Sequence, residues 1–450
     1  MTTPTHSRLP GPGGAAVLGG ILRRGFLDEI GRQWRAHGDT FEVRVGPKRM
    51  VLVVHPDAVR DVHLTQRRSF DKVASSDGVR HYLTGEGLIA STGELWKRQR
   101  KLMAPFFTPR AVQTYAALML ADADRVVARW DALARAGRTV DMGEEMMELT
   151  ASIILRAVFS TAADDDIVRL KSRVETMIRH ATARALVPVP DQVPTPANRR
   201  YRAARDEVHA YIERVIAQRR ALMASGQAVP DDLLSRLMEA RDGDGRPMGE
   251  SLLRDESITL FFAGHETTAR TLAATWAVLA EHPDVAARLH AELDADLGDE
   301  PITLAALKRL PYTLQVAKEV LRLYPAAPFY MRDAVEPVEL GGYTLASGTP
   351  VMLTPYWTHR HPDFWDDPER FDPDRFTPQA EAARHPQAYF PFATGERVCI
   401  GNHFSLLESH LLLAVLARRF MPGLVGPAPR WVMAGVLSPE GGLPMVIRRR

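Results

Sequence analysis

A single cysteine, Cys399, stands in the run FATGERVCIG (392–401) of a 450-residue chain. Gly395 and Gly401 bracket it and permit a tight backbone that can approach something flat. The run NHFSLLESHLLLAVLARRF follows and reads as a helix, so Cys399 sits just before a helix N-terminus. Backbone N–H groups and the macrodipole favour a thiolate there. Free cysteines are commonly buried small hydrophobes, but a thiolate in a glycine-walled loop could be a nucleophile or a metal ligand. A nucleophile wants a histidine base, and nothing marks His403, four residues on, as one. Zinc would need further ligands, and no C-x-x-C or H-E-x-x-H accompanies this cysteine. An axial thiolate on a haem iron needs only one protein ligand.

Three more constellations lie upstream. KEVLRLYP carries Glu319 and Arg322, three apart on one helical face. PERFDPDRF (368–376) contains Arg370, and AGHETT (263–268) contains Ala263, Gly264, Glu266 and Thr267. In order and spacing these segments, with Phe392, Gly395, Arg397, Cys399 and Gly401, resemble the cytochrome P-450 family of haem-thiolate monooxygenases. The matching patterns are F-x-x-G-x-R-x-C-x-G, E-x-x-R, P-E-R-F and A-G-x-E-T-T. The resemblance covers essentially the whole chain, from about residue 41 to the end.

The resemblance implies roles. Cys399 would be the axial ligand of haem b, with Phe392 packed near its sulfur. Glu319, Arg322 and Arg370 would form a buried trio supporting the fold and the haem loop. Trp96 and Arg100, four apart in LWKRQRK, resemble a W-x-x-x-R that contacts a haem propionate. Arg332 and Arg397 match two further propionate positions. Gly264 would let the long helix approach the haem. Thr267 would bond the carbonyl four residues back, then open to deliver protons to dioxygen with the help of Glu266. Lys97, Arg98 and Lys101 would face away as a basic patch for an acidic electron donor. Thr259, Phe262, Ala327, Phe329, Val436 and Leu437, with the loop SSDGVRHYLTGEGLIAS, are the pocket candidates. They suit an apolar substrate such as a terpenoid, fatty acid or macrolide.

The elements that must place these residues are mostly helical, with small sheets. The clearest helix runs from about Glu250 to Glu281, roughly 48 Å at 1.5 Å per residue, and Pro283 ends it. It is apolar nearly all round and so should cross the interior, with the haem expected between it and the cysteine loop with its following helix. AVQTYAALMLADADRVVARWDALA, ELTASIILRAVF and YRAARDEVHAYIERVIAQRRALM show apolar spacings of three and four. LVPVPDQVPTPA (186–197) cannot be helical because of its prolines, and RDGDGRPMGE (241–250) reads as a turn. FEVRV (41–45) and MVLVV (50–54) read as a hairpin around Gly46-Pro47. VELGGYTL followed by TPVML gives a second hairpin signal, and WVM (431–433) with MVI (445–447) a third pair.

The totals set limits. Fifty-seven basic and 55 acidic residues give a net charge of +2, without the basic excess of a nucleic-acid binder. One cysteine forms no internal disulfide and suits a reducing cytoplasm. No signal peptide and no apolar run of about 20 residues is visible. We expect one domain over 1–450 with no fused reductase. Electrons from NAD(P)H would then reach it through a separate ferredoxin or flavodoxin and a reductase, with O2 as co-substrate. Two rivals differ in class. A peroxide-driven peroxygenase should lack the Glu266–Thr267 relay, and a non-catalytic haem or lipid carrier would need neither relay nor electron donor.

Overall fold

In a computed structural model, the structure describes residues 9–45, 48–160, 164–186, 189–298 and 300–450. The chain forms two compact units, each assembled from separated stretches. The first takes Met1–Ser75, Leu314–Cys399 and Pro429–Gly441, and the second Ser76–Thr313, Ile400–Ala428 and Gly442–Arg450.

The first unit is built on a five-stranded sheet. Its strands lie in the order Thr40–Val45, Lys48–Val53, Pro350–Leu353, Tyr330–Ala334 and Phe70–Asp71. The first two pair antiparallel as expected; their turn, Gly46-Pro47, lies outside the described residues. Successive strand residues point to opposite faces, and the sequence uses both. Val51 and Val53 enter one apolar cluster with Val59, Phe70, Val351 and Leu353. Leu52 and Val54 enter another with Ile30, Trp34, Phe41 and Trp357. Alternation is lost because both faces are buried, and the strand reads as a continuous β-branched run. Val338–Leu340 and Tyr343–Leu345 form a separate hairpin around Gly341-Gly342, both at positive φ. TPVML, by contrast, joins the main sheet.

The third expected strand pair is corrected. Trp431–Ala434 pairs with Val436–Pro439, turning at Gly435 with φ +89°. Pro444–Val446 instead lies in the second unit between Thr139–Asp141 and Gly423–Leu424. A glycine that admits φ > 0 closes a local hairpin at less loop-closure cost than a longer excursion to 445–447.

The second unit is helical. Its longest helix is Glu250–Glu281, followed by Pro283 at the first turn of the next helix, Pro283–Leu297. Proline has no N–H to continue the ladder but suits a first turn. The long helix is buried on nearly every side and packs most extensively on Met142–Phe159. Trp130 and Trp276 are fully buried and meet edge to face at 5.6 Å. The expected helices appear within Ala116–Arg135, Met142–Phe159 and Pro196–Ser225. The proline-rich loop is shorter than expected. Pro196 opens the following helix, capped by Thr195, and Asn198 Nδ2 ties Pro190 and Val193 down through their carbonyls at 3.0 and 2.8 Å.

Candidate functional site

The cysteine loop belongs to the first unit. Its backbone closes on itself: the Cys399 N–H donates to the Phe392 carbonyl at 2.8 Å and the Val398 N–H to the Gly395 carbonyl at 3.1 Å. Gly395 has φ +69°, and a Cβ there would stand 2.5 Å from the His63 carbonyl oxygen. Glycine is required on both counts. Gly401 has an ordinary φ of −89° and caps the helix Asn402–Ala417. Cys399 is exposed, at the position before a helix start that the sequence implied.

Cations gather around this loop. Arg332 is 4% exposed, its guanidinium donating to the Met331 carbonyl and lying 5.0 Å from the Tyr330 ring. Arg397 bonds Asp71. Sequence reasoning overlooked Lys72, since a lone lysine after a short strand carries no signal. Its amine is pushed down to about 7, first by burial, then by Arg332 and Arg397, with Asp71 and Cys399 opposing, although part of its surface stays open. Burial likewise lowers Arg332 to about 10, with Arg397 adding to it and Tyr330, Asp71 and Asp333 opposing. His63 is held neutral, down to about 3, by burial and then by Arg332 and Lys72, and its Nε2 lies 2.8 Å from the Tyr330 hydroxyl. Two acids, Asp71 and Asp333, lie among Arg332, Arg397 and Lys72. Buried cations need an anionic partner. A cofactor that carries carboxylates and takes one axial thiolate fits these residues.

Below the loop lies the Glu319–Arg322 pair, both fully buried. Two parallel bonds of 2.7 Å join them. Burial pushes the Glu319 carboxyl up, and Arg322 opposes it. Arg322 also donates to the carbonyls of His359, Pro368 and Arg370. The third member of the expected trio is corrected. The Arg370 side chain is 66% exposed and reaches only toward Asp372, at 4.0 Å. Arg375, five residues on in the same PERFDPDRF run, approaches Glu319 at 3.6 Å and is largely covered. The Asp372 N–H adds a 2.8 Å bond to Glu319. Arg370 thus contributes only its carbonyl. His359, which the sequence did not flag, links this pair to the loop. Its Nδ1 lies 3.1 Å from the Arg322 carbonyl, and its Nε2 accepts from the Phe390 N–H at 2.9 Å. That assignment requires a neutral ring, and burial holds it well below its usual range.

Of the pocket candidates in this unit, the Leu437 N–H donates to the Ala326 carbonyl at 2.9 Å, bringing the 326–327 and 436–437 segments together. Ala327 and Val436 keep open surface, whereas Leu437 is buried. Phe329 is also partly open and packs on Phe26 at 5.1 Å beside the sheet's other core.

The second unit carries the helix motif. Within Phe261–Arg270 only Phe262, Ala263, Gly264, Thr267 and Arg270 retain open surface, a partly open stripe on an otherwise buried helix. The Thr267 hydroxyl donates to the Ala263 carbonyl at 2.8 Å, as the sequence implied. Glu266 is 6% exposed. Burial pushes its carboxyl up and Arg270, 3.9 Å away, opposes this. Gly264 lies on that partly open stripe. A Cβ there would strike Ile154 at 2.7 Å, so the missing side chain seats the long helix on Met142–Phe159. Thr259 is corrected: it is 4% exposed, and Gly87 lies so close that a Cβ would meet its hydroxyl at 1.9 Å. Trp96 and Arg100 share a face of Gly93–Met103, with Trp96 buried. Arg98 does not belong to a free basic patch. It bonds Asp242 at 2.6 Å and the Pro247 carbonyl at 2.9 Å. Lys97 bonds Glu94, and Lys101 is exposed.

Among the described residues no helix is long and apolar enough to cross a membrane. The family model described as Cytochrome P-450 matches residues 10–426. Cyclooctat-9-en-7-ol 5-monooxygenase of Streptomyces melanosporofaciens is 35% identical over 92% of this chain and 89% of its own. Pentalenene oxygenase of Streptomyces avermitilis is 33% identical over 90% of this chain and 89% of its own. The crystal structure of the cytochrome P-450DA heme domain superposes with a TM-score of 0.85 at 27% identity, covering 98% of this chain and 94% of that one.

Proposed function

The chain belongs to the cytochrome P-450 family of haem b monooxygenases, and from that premise we propose that it places one oxygen atom of O2 into an apolar terpenoid. In this reading NAD(P)H electrons arrive in the cytoplasm through a separate ferredoxin or flavodoxin and a reductase, and one domain over 1–450 does the chemistry. The observation that carries the site assignment is the gathering of Lys72, Arg332 and Arg397 around the Cys399 loop. Haem held by that thiolate would supply dioxygen activation.

The residues of this chain then have separable tasks. Cys399 would be the protein ligand to the haem iron. Lys72, Arg332 and Arg397 would hold the carboxylates of the cofactor. Ala327 and Val436 would offer the substrate apolar surface and no charge. The two Streptomyces relatives are named for olefinic carbon skeletons with at most one hydroxyl, which such a lining suits better than a fatty acid carboxylate. A spectral titration tests this. Pentalenene and related polycyclic olefins should shift the Soret band toward high spin, and palmitic acid should not. A shift with palmitic acid alone would overturn the substrate class.

Glu266 and Thr267 manage protons. Burial raises the Glu266 carboxyl and so makes it easier to protonate, one position before the Thr267 hydroxyl in the helix. That hydroxyl is committed to the Ala263 carbonyl and must swing away to pass a proton on. Thr267→Ala should fold and bind haem, because one mid-helix threonine adds little intrinsic stability. It should still oxidise NAD(P)H, with the electrons appearing largely as hydrogen peroxide. Product per NAD(P)H should fall by about a hundredfold or more, on the roughly 10²–10⁴ scale of positioned proton transfer. An unchanged ratio would place the proton path elsewhere.

A further inference from the structure

The long helix carries two adjacent acids, Asp255 and Glu256, that the relay does not use. Both accept from one loop. The Glu86 N–H donates to Asp255 Oδ2 at 2.9 Å, and the Leu88 N–H to Glu256 Oε2 at 3.0 Å. Between them Gly87 is pressed onto Thr259. Gly85, at φ +53°, leaves no room for a Cβ, which would stand 2.3 Å from Asp255 Oδ2. The far side of the loop is tied as well: Gln99 Nε2 donates to the Glu86 carbonyl at 2.6 Å, and Arg80 to the Ala90 carbonyl at 2.6 Å. Irregular backbone needs partners for its N–H groups, and here two carboxyls of a buried helix supply them.

We infer that Glu256 is a positioning residue which, with Asp255, clamps residues 85–88 onto the long helix and so sets how far the substrate-pocket loop can open. The tie to the pocket rests on the reading of residues 75–91 given above, and the clamp itself does not. Glu256 is fully buried, and its second oxygen has no hydrogen-bond partner among the described residues. Burial pushes its carboxyl up to about 8, the Leu88 N–H opposing and Asp255 adding to the rise. The charged groups packed around the pair are few. Arg254 lies 3.3 Å from Asp255 and also bonds Glu213 of Pro196–Ser225. His209 of that helix is pushed down by burial and then by Arg254. From the loop side, Arg80 stands 3.3 Å from Glu86.

The sign follows from proton linkage. In the closed clamp Glu256 holds its proton up to about pH 8. Once the loop lifts and water reaches the carboxyl, it ionises near its ordinary value of 4.5. Opening therefore releases a proton between those values. The open population should climb as pH rises, by at most about tenfold per unit, and level off above 8.

Hydrogen exchange at the Glu86 and Leu88 amides of the holoenzyme, corrected for intrinsic base catalysis, reads the clamp from pH 6 to 9. Dissociation of 4-phenylimidazole reads access to the pocket. In the unmodified protein, protection should fall by up to about a hundredfold between pH 6 and 8. Glu256→Gln should keep protection and lose that slope. Glu256→Leu should lose Leu88 protection at every pH, while amides of Met142–Phe159 stay unchanged. A flat corrected profile in the unmodified protein, or an identical slope in Glu256→Gln, would overturn the clamp. Exchange that behaves as expected beside pH-independent 4-phenylimidazole dissociation would keep the clamp and overturn its tie to the pocket.

Discussion

Cys399→Ser should abolish the red-shifted Soret band of the ferrous carbon-monoxide form and reduce oxygenation to background. The chain has no second cysteine, so no other thiolate can take its place. Serine is nearly isosteric, and the position is exposed. The loop is held by backbone bonds, Cys399 N–H to Phe392 and Val398 N–H to Gly395, which serine preserves. The apoprotein should therefore keep its stability to within about 0.5 kcal/mol, as exposed substitutions usually do. Loss of the band with an unchanged apoprotein melt isolates ligation from folding. Lys72, Arg332 and Arg397 remain to attract the cofactor's carboxylates, so haem should still bind, more weakly. A variant retaining the red-shifted band would show that the sulfur is not the ligand.

Much of this site could be read because its parts are local in sequence. The loop from Phe392 to Gly401 closes on itself, and Glu319 and Arg322 lie one turn apart. The long helix declares itself by length, apolar character and Pro283. What escaped reading depends on which side of an element meets which neighbour. Arg370 and Arg375 occupy near-identical settings, P-E-R-F and P-D-R-F, and only the fold turns the second toward Glu319. Gly264 sits in a motif that suggests a cofactor face, and its missing Cβ also serves a helix contact. Lys72 and His359 are single residues whose partners lie far along the chain. Arg98 looked like a solvated cation because Asp242, its partner, is 144 positions away. Spacing reports periodicity, and these assignments require tertiary contact.

Arg322→Leu should prevent the protein from holding its haem loop at ordinary temperature, and the neighbouring arginines should rank by what they touch. Removing Arg322 takes both 2.7 Å bonds from Glu319 and three donors from the carbonyls of His359, Pro368 and Arg370. Glu319 would keep the Asp372 N–H and Arg375 at 3.6 Å. With Arg322 gone, burial acts on Glu319 with less opposition. A buried pair broken on one side costs about 3–5 kcal/mol, a large fraction of the roughly 5–15 kcal/mol that holds a native protein together. The carbonyls of Pro368 and Arg370 would lose their donor as well. The damage should reach the cysteine loop, because His359 bridges the Arg322 carbonyl and the Phe390 N–H. Arg375→Leu removes a longer, single approach and should cost less, about 1–3 kcal/mol. Arg370→Leu leaves the Arg370 carbonyl in place and alters an exposed side chain, so it should lie within about 0.5 kcal/mol of the unmodified protein. Urea unfolding of the three variants, followed by both helical signal and haem absorbance, measures that order. Equal losses at Arg370 and Arg375 would mean that the exposed guanidinium takes part in the buried cluster, and would return the trio to its sequence-based form.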